Sequence, residues 1–250
     1  MTRRSWLIAS GDLLFKYRNA LFPAVIIAVA LGMRPRVLFG DPALDGWLGT
    51  AGVVSALLGE MIRLTTIGFE YIERGGKNRQ VWASRLVQGG VYGLSRNPMY
   101  VGNVLIVIGM CLIARAPLSY VTIIPLFFYI YLAIVATEER FLRSKFSDEF
   151  EAYCRRVPRF LPSFKGFPAS FKGMRYNWRR AIRQDLSTLI GVALGLALFP
   201  LWRRLWLGGQ GAWRIVLPEA VMRLAAILAC YGVLYVMKRR HLLHEPGAGR

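Results

Sequence analysis

Two short polar stretches flank a pair of apolar runs, and their residue types suit the binding of opposite charges. The first stretch, residues 95–100, reads SRNPMY. Asn97 is a favourable N-cap and Pro98 suits the first helical position, so a helix with free N–H groups and positive potential should begin here. The second stretch ends the next apolar run with Glu138 and Glu139. A helix N-terminus suits a carboxylate, and a carboxylate pair suits an ammonium group.

The two stretches come together if the runs between them form a helical hairpin. The segments from Pro98 to Arg115 and from Pro117 to Glu138 give helices of about 25 and 31 Å at the usual rise per residue. A turn at Arg115-Ala116-Pro117 then leaves both polar ends near one membrane surface. An amino-acid-like zwitterion fits between such ends. S-adenosylmethionine is one such ligand, and other zwitterions fit equally well.

The same residues also have purely structural interpretations. Arg96 can extend to lipid headgroups and Tyr100 can join an interfacial aromatic belt, which requires no ligand. A carboxylate pair is unfavourable at a helix C-terminus. Arg140 and Arg143 lie close enough to Glu139 in sequence for local ion pairs that offset part of that cost. Local physics alone leaves both interpretations open.

The composition favours a membrane protein. The chain has 250 residues, of which 55% are hydrophobic, and a formal net charge of +19. The apolar residues come in blocks, which predicts an all-α polytopic membrane protein with about six membrane segments. The predicted runs are 19–33, 47–64, 98–114, 117–136, 186–202 and 215–237.

The basic residues are distributed unevenly between these runs. The segments on one side are rich in Lys and Arg and are assigned to the cytoplasm, whereas those on the other side are poor in them. Both termini are then cytoplasmic, no secretory signal peptide is evident, and a bacterial inner membrane is favoured over the endoplasmic reticulum. The charge is attributed to this topology and not to nucleic acid. The basic, aromatic stretch 175–186 is interpreted as an interfacial helix, with an RNA-binding arm as the alternative.

The cysteines and histidines do not indicate a metal site or a disulfide framework. Cys111, Cys154 and Cys230 are far apart and form no CxxC motif. His241 and His244 are three residues apart, without a neighbouring Cys or carboxylate cluster. No metal ligand is therefore predicted.

Two further pairs of opposite charge lie inside apolar runs. Glu60 and Arg63 are three residues apart, and Glu219 and Arg223 are four apart. Both spacings allow an ion pair on one helix face. We expect both pairs to form, although Glu60 and Arg63 could instead help shape a substrate cavity.

A Pro-, Gly- and Phe-rich link after residue 160 suggests a boundary between a core, 1–162, and a C-terminal unit, 163–250. The C-terminal unit comprises the interfacial stretch and a pair of membrane helices. The polar loop 69–85 either folds over a bound ligand or is a solvated connector.

The motifs as a group resemble the integral membrane methyltransferases, which include isoprenylcysteine carboxyl methyltransferases and phospholipid N-methyltransferases. The segments RLVQGGVYGLSRNPMYVGN and EERFLRSKFSDEFEAYCRRVPRFLP are similar to the pattern of that superfamily. The pattern has Gly-x-Tyr, then Arg-His-Pro-x-Tyr-x-Gly, then a Glu-Glu pair, then a Tyr and a Val-Pro. The resemblance covers roughly residues 47–162 and implies a four-segment methyltransferase core.

The resemblance implies an S-adenosylmethionine site near the cytoplasmic surface, with Glu138 holding the methionine ammonium. For catalysis, Glu139 would help an amine acceptor lose its proton, and Arg96 would contact a lipid phosphate or the cofactor. The other implied cofactor-binding residues are Arg85, Leu86, Val87, Tyr92, Asn97, Pro98, Met99 and Tyr100.

Two departures from the family pattern limit what the resemblance implies. Asn97 stands where the family usually has His, and an amide cannot titrate near neutral pH. Ile134 stands where isoprenylcysteine methyltransferases place an arginine that faces the substrate carboxylate. The resemblance therefore implies a lipid-like or small hydrophobic acceptor without identifying it as a prenylcysteine.

Membrane sterol reductases are similar over the same segments, including the closing Tyr153-Cys154-x-x-Val157-Pro158. An NAD(P)H-dependent reductase is therefore the alternative function, and a non-catalytic membrane scaffold is a third. The glutamate pair and the compact core favour the methyltransferase. Membrane lipids and the lipid-like acceptor are the predicted partners, nucleic acid is not, and the oligomeric state is undetermined.

Overall fold

The protein is described by a computed structural model that covers residues 6–17, 32–70 and 82–243, a part of the chain that contains no β-strand. The all-α fold expected from the sequence is thus confirmed. Residues 6–17 are helical, and short turns of helix cover Leu38–Gly40, Gly90–Gly93 and Phe167–Ser170. The long helices are α1 (Pro42–Phe69), α2 (Pro98–Ala114), α3 (Pro117–Arg156), α4 (Trp178–Leu207) and α5 (Trp213–Arg239).

Most of the predicted membrane runs correspond to single helices. By length and composition α1, α3, α4 and α5 are able to cross a membrane, and α2 is a shorter apolar helix. The predicted run 19–33 lies largely outside the described residues. Because α4 begins at Trp178, most of the stretch 175–186 is not a separate interfacial helix but the start of a spanning helix.

The α2–α3 hairpin forms where the sequence places it. Pro98 and Pro117 each occupy a first helical position, where the missing N–H is not needed. Arg115 ends α2 in the left-handed conformation, with φ of 49°, and so turns the chain into α3. α3 then continues well past the glutamate pair and bends at Ser147, whose backbone is not helical.

Glycines bring α1 and α2 into backbone contact. A Cβ at Gly109 would lie 2.6 Å from the carbonyl oxygen of Gly52, and one at Gly59 would lie 2.5 Å from that of Gly102. Real Cβ atoms do not approach so closely, so each position must be glycine for the helices to pack at this distance. The Ser55 hydroxyl also donates to the Leu105 carbonyl at 2.8 Å across the same interface.

A buried polar cluster connects α4 to α1 and α2. Arg63 forms a bidentate ion pair with Asp185, in which Nε donates to Oδ2 at 3.0 Å, and it also donates to Asn103 and to Thr188. The expected pair between Arg63 and Glu60 is therefore wrong, because the Arg63 guanidinium faces α4. Both carboxyl oxygens of Glu60 are buried without a hydrogen-bond partner among the described residues.

The C-terminal helix α5 packs against α4 and leaves most of its apolar side chains exposed, as a lipid-facing helix does. Within α5 the expected ion pair between Glu219 and Arg223 is confirmed, and Arg204 of α4 binds the same carboxylate. The division at residue 162 stays a prediction.

We expect Gly109→Ala to lower the melting temperature of the detergent-solubilised protein, because its Cβ meets the backbone of α1. Overpacking of this kind costs about 1–3 kcal/mol. Gly191→Ala is the matched control, since Gly191 is also helical but a Cβ there meets no atom within 4 Å. Equal effects of the two substitutions would contradict the close contact between α1 and α2.

We also expect Asp185→Asn to destabilise the protein, by about 3–5 kcal/mol, because it leaves the buried Arg63 charge uncompensated. Glu60→Gln should leave the melting temperature unchanged or raise it, because it removes a buried carboxyl group that makes no hydrogen bond. A loss of stability in Glu60→Gln as large as that in Asp185→Asn would show that Glu60 has a structural partner.

Candidate functional site

Tyr100 and Glu138 join the two open ends of the hairpin. The Tyr100 hydroxyl donates to Glu138 Oε1 at 2.6 Å, and the Tyr100 ring packs on Tyr131 with centroids 5.3 Å apart. Tyr100 is buried and Glu138 is partly buried. The aromatic-belt interpretation of Tyr100 is therefore wrong, because the ring points into the helix bundle and positions a carboxylate.

Glu139 is held between two arginines that are distant from it in sequence. Its Oε1 lies 3.1 Å from Arg96 Nη1 and accepts from Arg159 Nε at 2.9 Å, and its Oε2 accepts from Arg159 Nη2. The Glu139 side chain is only 7% exposed. These hydrogen bonds raise the pKa of Arg159, so the guanidinium stays charged.

This arrangement corrects two local expectations. Arg96 does not extend toward lipid headgroups, since its side chain is 14% exposed and faces Glu139 and Cys154. The sequence neighbours of Glu139 also have other partners, because Arg140 binds Asp12 and Arg143 binds Glu151. The charge of Glu139 is therefore neutralised by Arg96 and Arg159, which lie outside α3.

The segments that carry Arg96 and Arg159 are hydrogen-bonded to each other. The Arg96 amide donates to the Pro158 carbonyl at 2.9 Å, and the Ser95 hydroxyl donates to the Phe160 carbonyl at 2.8 Å. Asn97 occupies the N-cap position of α2, but its side chain makes no capping hydrogen bond. Its Nδ2 donates instead to the Arg159 carbonyl at 3.0 Å, so the capping role expected for this side chain is wrong.

The bend at Ser147 folds the end of α3 onto the loop that precedes α2. The Tyr153 hydroxyl donates to the Tyr92 carbonyl at 2.7 Å. Gln88 donates to Glu149 at 2.8 Å and accepts from Arg156 at 2.7 Å. Four apolar side chains complete this contact: Leu86, Phe150, Tyr153 and Val157.

The structure brings most of the implied cofactor residues to one region but not all of them. Arg85 differs from the others in exposure, since its side chain is 71% exposed and forms an ion pair with Glu70. Leu86 packs in the apolar contact described above. The remaining members are buried where the loop enters α2, namely Val87, Tyr92, Asn97, Pro98, Met99 and Tyr100. The predicted loop 69–85 lies mostly outside the described residues.

The geometry fits an amino-acid-like group such as the methionine end of S-adenosylmethionine. The first turn of α2 has no side-chain cap, and the positive potential of a helix N-terminus favours a carboxylate. The Glu138 carboxylate suits an ammonium and is held from this same turn through Tyr100. In the part of the chain that the structure describes, no group of three His, Cys, Asp or Glu side chains is arranged to hold a metal ion.

The sequence reasoning did not identify Arg159 as a site residue. It lies 20 positions after Glu139 in an irregular segment, where no helical spacing indicates a partner. The available signal was the Val-Pro motif just before it, which marks a chain reversal back toward the site.

Comparisons with known proteins identify the family of the chain. A family model described as phospholipid methyltransferase matches residues 48–149, which include most of α1, the whole of α2 and the glutamate pair. No solved structure gives a significant match.

One relative is named as a metal-resistance protein and another as a methyltransferase. The chain is 32% identical to the cobalt-zinc-cadmium resistance protein CzcN of Cupriavidus metallidurans, over 62% of this chain and 68% of that protein. It is 26% identical to protein-S-isoprenylcysteine O-methyltransferase B of Arabidopsis thaliana, over 62% of this chain and 79% of that enzyme.

A third relative is also named as an isoprenylcysteine methyltransferase. A probable protein-S-isoprenylcysteine O-methyltransferase of Oryza sativa subsp. indica is 32% identical, over 56% of this chain and 74% of the enzyme. The family model covers most of the α1–α3 region that carries the site. The chain therefore belongs to the superfamily of integral membrane methyltransferases that includes the isoprenylcysteine and phospholipid methyltransferases.

Proposed function

We propose that the protein transfers a methyl group from S-adenosylmethionine to a lipid-like or small hydrophobic acceptor at the cytoplasmic face of a membrane. The observation that carries this proposal is the Tyr100–Glu138 hydrogen bond at the uncapped start of α2. When bound, the cofactor would supply a methyl group on its positively charged sulfur, and the carbon–sulfur bond would break as the acceptor bonds to that carbon, with neutral S-adenosylhomocysteine as the leaving group.

Within this proposal Glu138 binds the methionine ammonium and the first turn of α2 binds the methionine carboxylate. Tyr100 fixes the rotamer of Glu138, and its own ring is held against Tyr131. Both ends of the zwitterion thus meet groups that are positioned before binding, so little ordering is required when the ligand arrives. Asn97 supports the same turn through its hydrogen bond to the Arg159 carbonyl.

The ion-pair cluster points to a positioning role for Arg96 and Glu139. Both oxygens of the Glu139 carboxylate already have arginine partners, and its side chain is only 7% exposed, so its contacts are with other parts of this chain. We therefore propose that Glu139 holds the segments before α2 and after α3 in place. This role differs from the catalytic roles that the chemistry of methyl transfer suggested for Glu139 and Arg96.

Two observations support a hydrophobic acceptor. Ile134, which stands where a substrate-binding arginine is expected in isoprenylcysteine methyltransferases, is 1% exposed within the apolar core. The family description refers to phospholipid, and the names of the two plant relatives refer to isoprenylcysteine. A lipid-like acceptor would enter laterally from the bilayer, and the polar cofactor would enter from the cytoplasm.

The proposed orientation in the membrane follows from the distribution of Lys and Arg along the sequence. The strongly basic α3–α4 connection and both termini would face the cytoplasm, in a bacterial inner membrane. The basic surface near Arg140, Arg143 and Arg155 would then lie beside anionic headgroups on the side from which the cofactor enters.

We expect S-adenosylhomocysteine to bind the purified protein with micromolar affinity in calorimetric titration. Glu138→Gln should weaken that binding by roughly 10- to 100-fold, because a charge-assisted hydrogen bond contributes about 1.5–3 kcal/mol. The melting temperature should change little, since Glu138 is only partly buried.

Two outcomes would contradict the proposed function. One is the failure of folded wild-type protein to bind S-adenosylhomocysteine. The other is a melting temperature raised by NADPH and not by S-adenosylhomocysteine, which would favour the reductase. If Glu138→Gln binds S-adenosylhomocysteine as tightly as the wild type, the cofactor assignment stands and only the role of Glu138 is refuted.

Glu139→Gln should behave differently from its neighbour and lower the melting temperature, since it leaves two arginines without their carboxylate. The expected cost is about 3–5 kcal/mol. In a double-mutant cycle with Arg159→Gln, we expect a coupling of about 0.5–3 kcal/mol. A Glu139→Gln protein that keeps its stability and cofactor affinity but loses methyl transfer would instead identify Glu139 as a proton acceptor.

A further inference from the structure

A second cluster of charged side chains lies at the end of the bundle opposite Glu138, where α1 and α3 begin and α2 and α4 end. Arg115 Nη1 and Arg203 Nη2 both donate to Oδ2 of Asp45, each at 2.6 Å. The Asp45 side chain is 8% exposed, and those of the two arginines are 16% and 15% exposed. One carboxylate therefore faces two guanidinium groups, and one positive charge is left uncompensated.

The cluster also contains several polar atoms that lack partners. Arg115 Nε, Arg203 Nε and the Tyr120 hydroxyl are buried without a hydrogen-bond partner among the described residues. Tyr120 lies in the first turn of α3, five residues after Arg115. Asp45 Oδ1 is likewise unpartnered. Buried polar groups in folded proteins normally have partners, so these donors and this acceptor indicate a missing one.

The backbone holds the Arg115 guanidinium in place. Gly49 of α1 has no side chain, and a Cβ there would lie 1.9 Å from Arg115 Nη2, so the guanidinium lies directly against the helix. The Arg115 carbonyl accepts from the Arg36 amide at 3.0 Å, which fixes the turn from which the side chain extends. Because three helices and a turn contribute to it, the arrangement is not that of solvated surface arginines.

The surroundings place the cluster at the level of lipid headgroups. Trp47, Trp206 and Trp213 lie at this end of the bundle with indole rings that are 72%, 45% and 54% exposed. Exposed tryptophans are enriched where the bilayer core meets the headgroups. A ligand that reaches the cluster from this region is therefore lipid-like, with its polar part at the depth of Asp45.

We propose that Arg115, Arg203 and Tyr120 bind the phosphate of an anionic phospholipid whose headgroup carries a hydroxyl, as phosphatidylglycerol does. The single negative charge of its phosphodiester matches the one uncompensated positive charge. Guanidinium forks and a phenol are suitable donors to phosphate oxygens, and Asp45 Oδ1 accepts from the headgroup hydroxyl. This site is separate from the Glu138 site and does not depend on the proposed function.

The test measures the melting temperature of detergent-solubilised protein with added phosphatidylglycerol, phosphatidylcholine or inorganic phosphate. We expect phosphatidylglycerol to raise it by about 3 °C or more and the other two to raise it less. Arg203→Gln should lose this shift. Arg204→Gln is the matched control, because it removes the adjacent charge, which binds Glu219, and should keep the shift.

Asp45→Asn keeps the proposal testable if Arg203→Gln does not fold. Replacing the shared carboxylate removes the anion that competes for the two guanidiniums, so the shift with phosphatidylglycerol should increase even if the protein alone is less stable. Equal shifts with phosphatidylcholine, or an equal loss in Arg203→Gln and Arg204→Gln, would overturn the site. An equal shift with inorganic phosphate would overturn the lipid assignment in favour of a free anion.

Discussion

The buried Glu139 carboxylate is the constraint that organises the candidate site. A charge at this depth is tolerated only when opposite charges and hydrogen bonds compensate it. Arg96 precedes α2 and Arg159 follows α3, so their contacts with Glu139 bring together three separate parts of the chain. The backbone hydrogen bonds between the two arginine segments then complete the closure.

Two adjacent glutamates acquire different roles through this closure. Successive side chains on a helix point about 100° apart, so Glu138 and Glu139 face different neighbours. Glu139 meets two guanidinium groups, whereas Glu138 meets the hydroxyl of Tyr100 beside the start of α2. A pair that is symmetric in sequence is thus divided into a structural member and a ligand-binding candidate.

The sequence predicts structural features that depend on residues close together in the chain, and it does not predict contacts between residues far apart in the chain. Proline positions, apolar runs and the i,i+4 spacing of Glu219 and Arg223 are local, and the structure agrees with them. The partner of Arg63 could not be predicted, because Asp185 is 122 positions away and the choice depends on how α1 is rotated toward α4. Asn97 is at the N-cap position, as expected, but the partner of its side chain could not be predicted for the same reason, since it donates to a carbonyl 62 positions away.

The scarcity of acidic residues explains why these long-range contacts dominate. The chain has 33 Lys and Arg but only 14 Asp and Glu, so few other carboxylates compete with a buried one for basic partners. Such a carboxylate therefore attracts guanidinium groups from several segments. Asp185 accepts from Arg63, and Asp45 and Glu139 each bind two arginines. In a bilayer, where water does not compensate for unpaired charges, these acids fix how the helices meet at both ends of the bundle. Beside Asp45, two guanidiniums share one carboxylate, so this end of the bundle keeps a positive charge for which the proposed lipid phosphate would be the counterion.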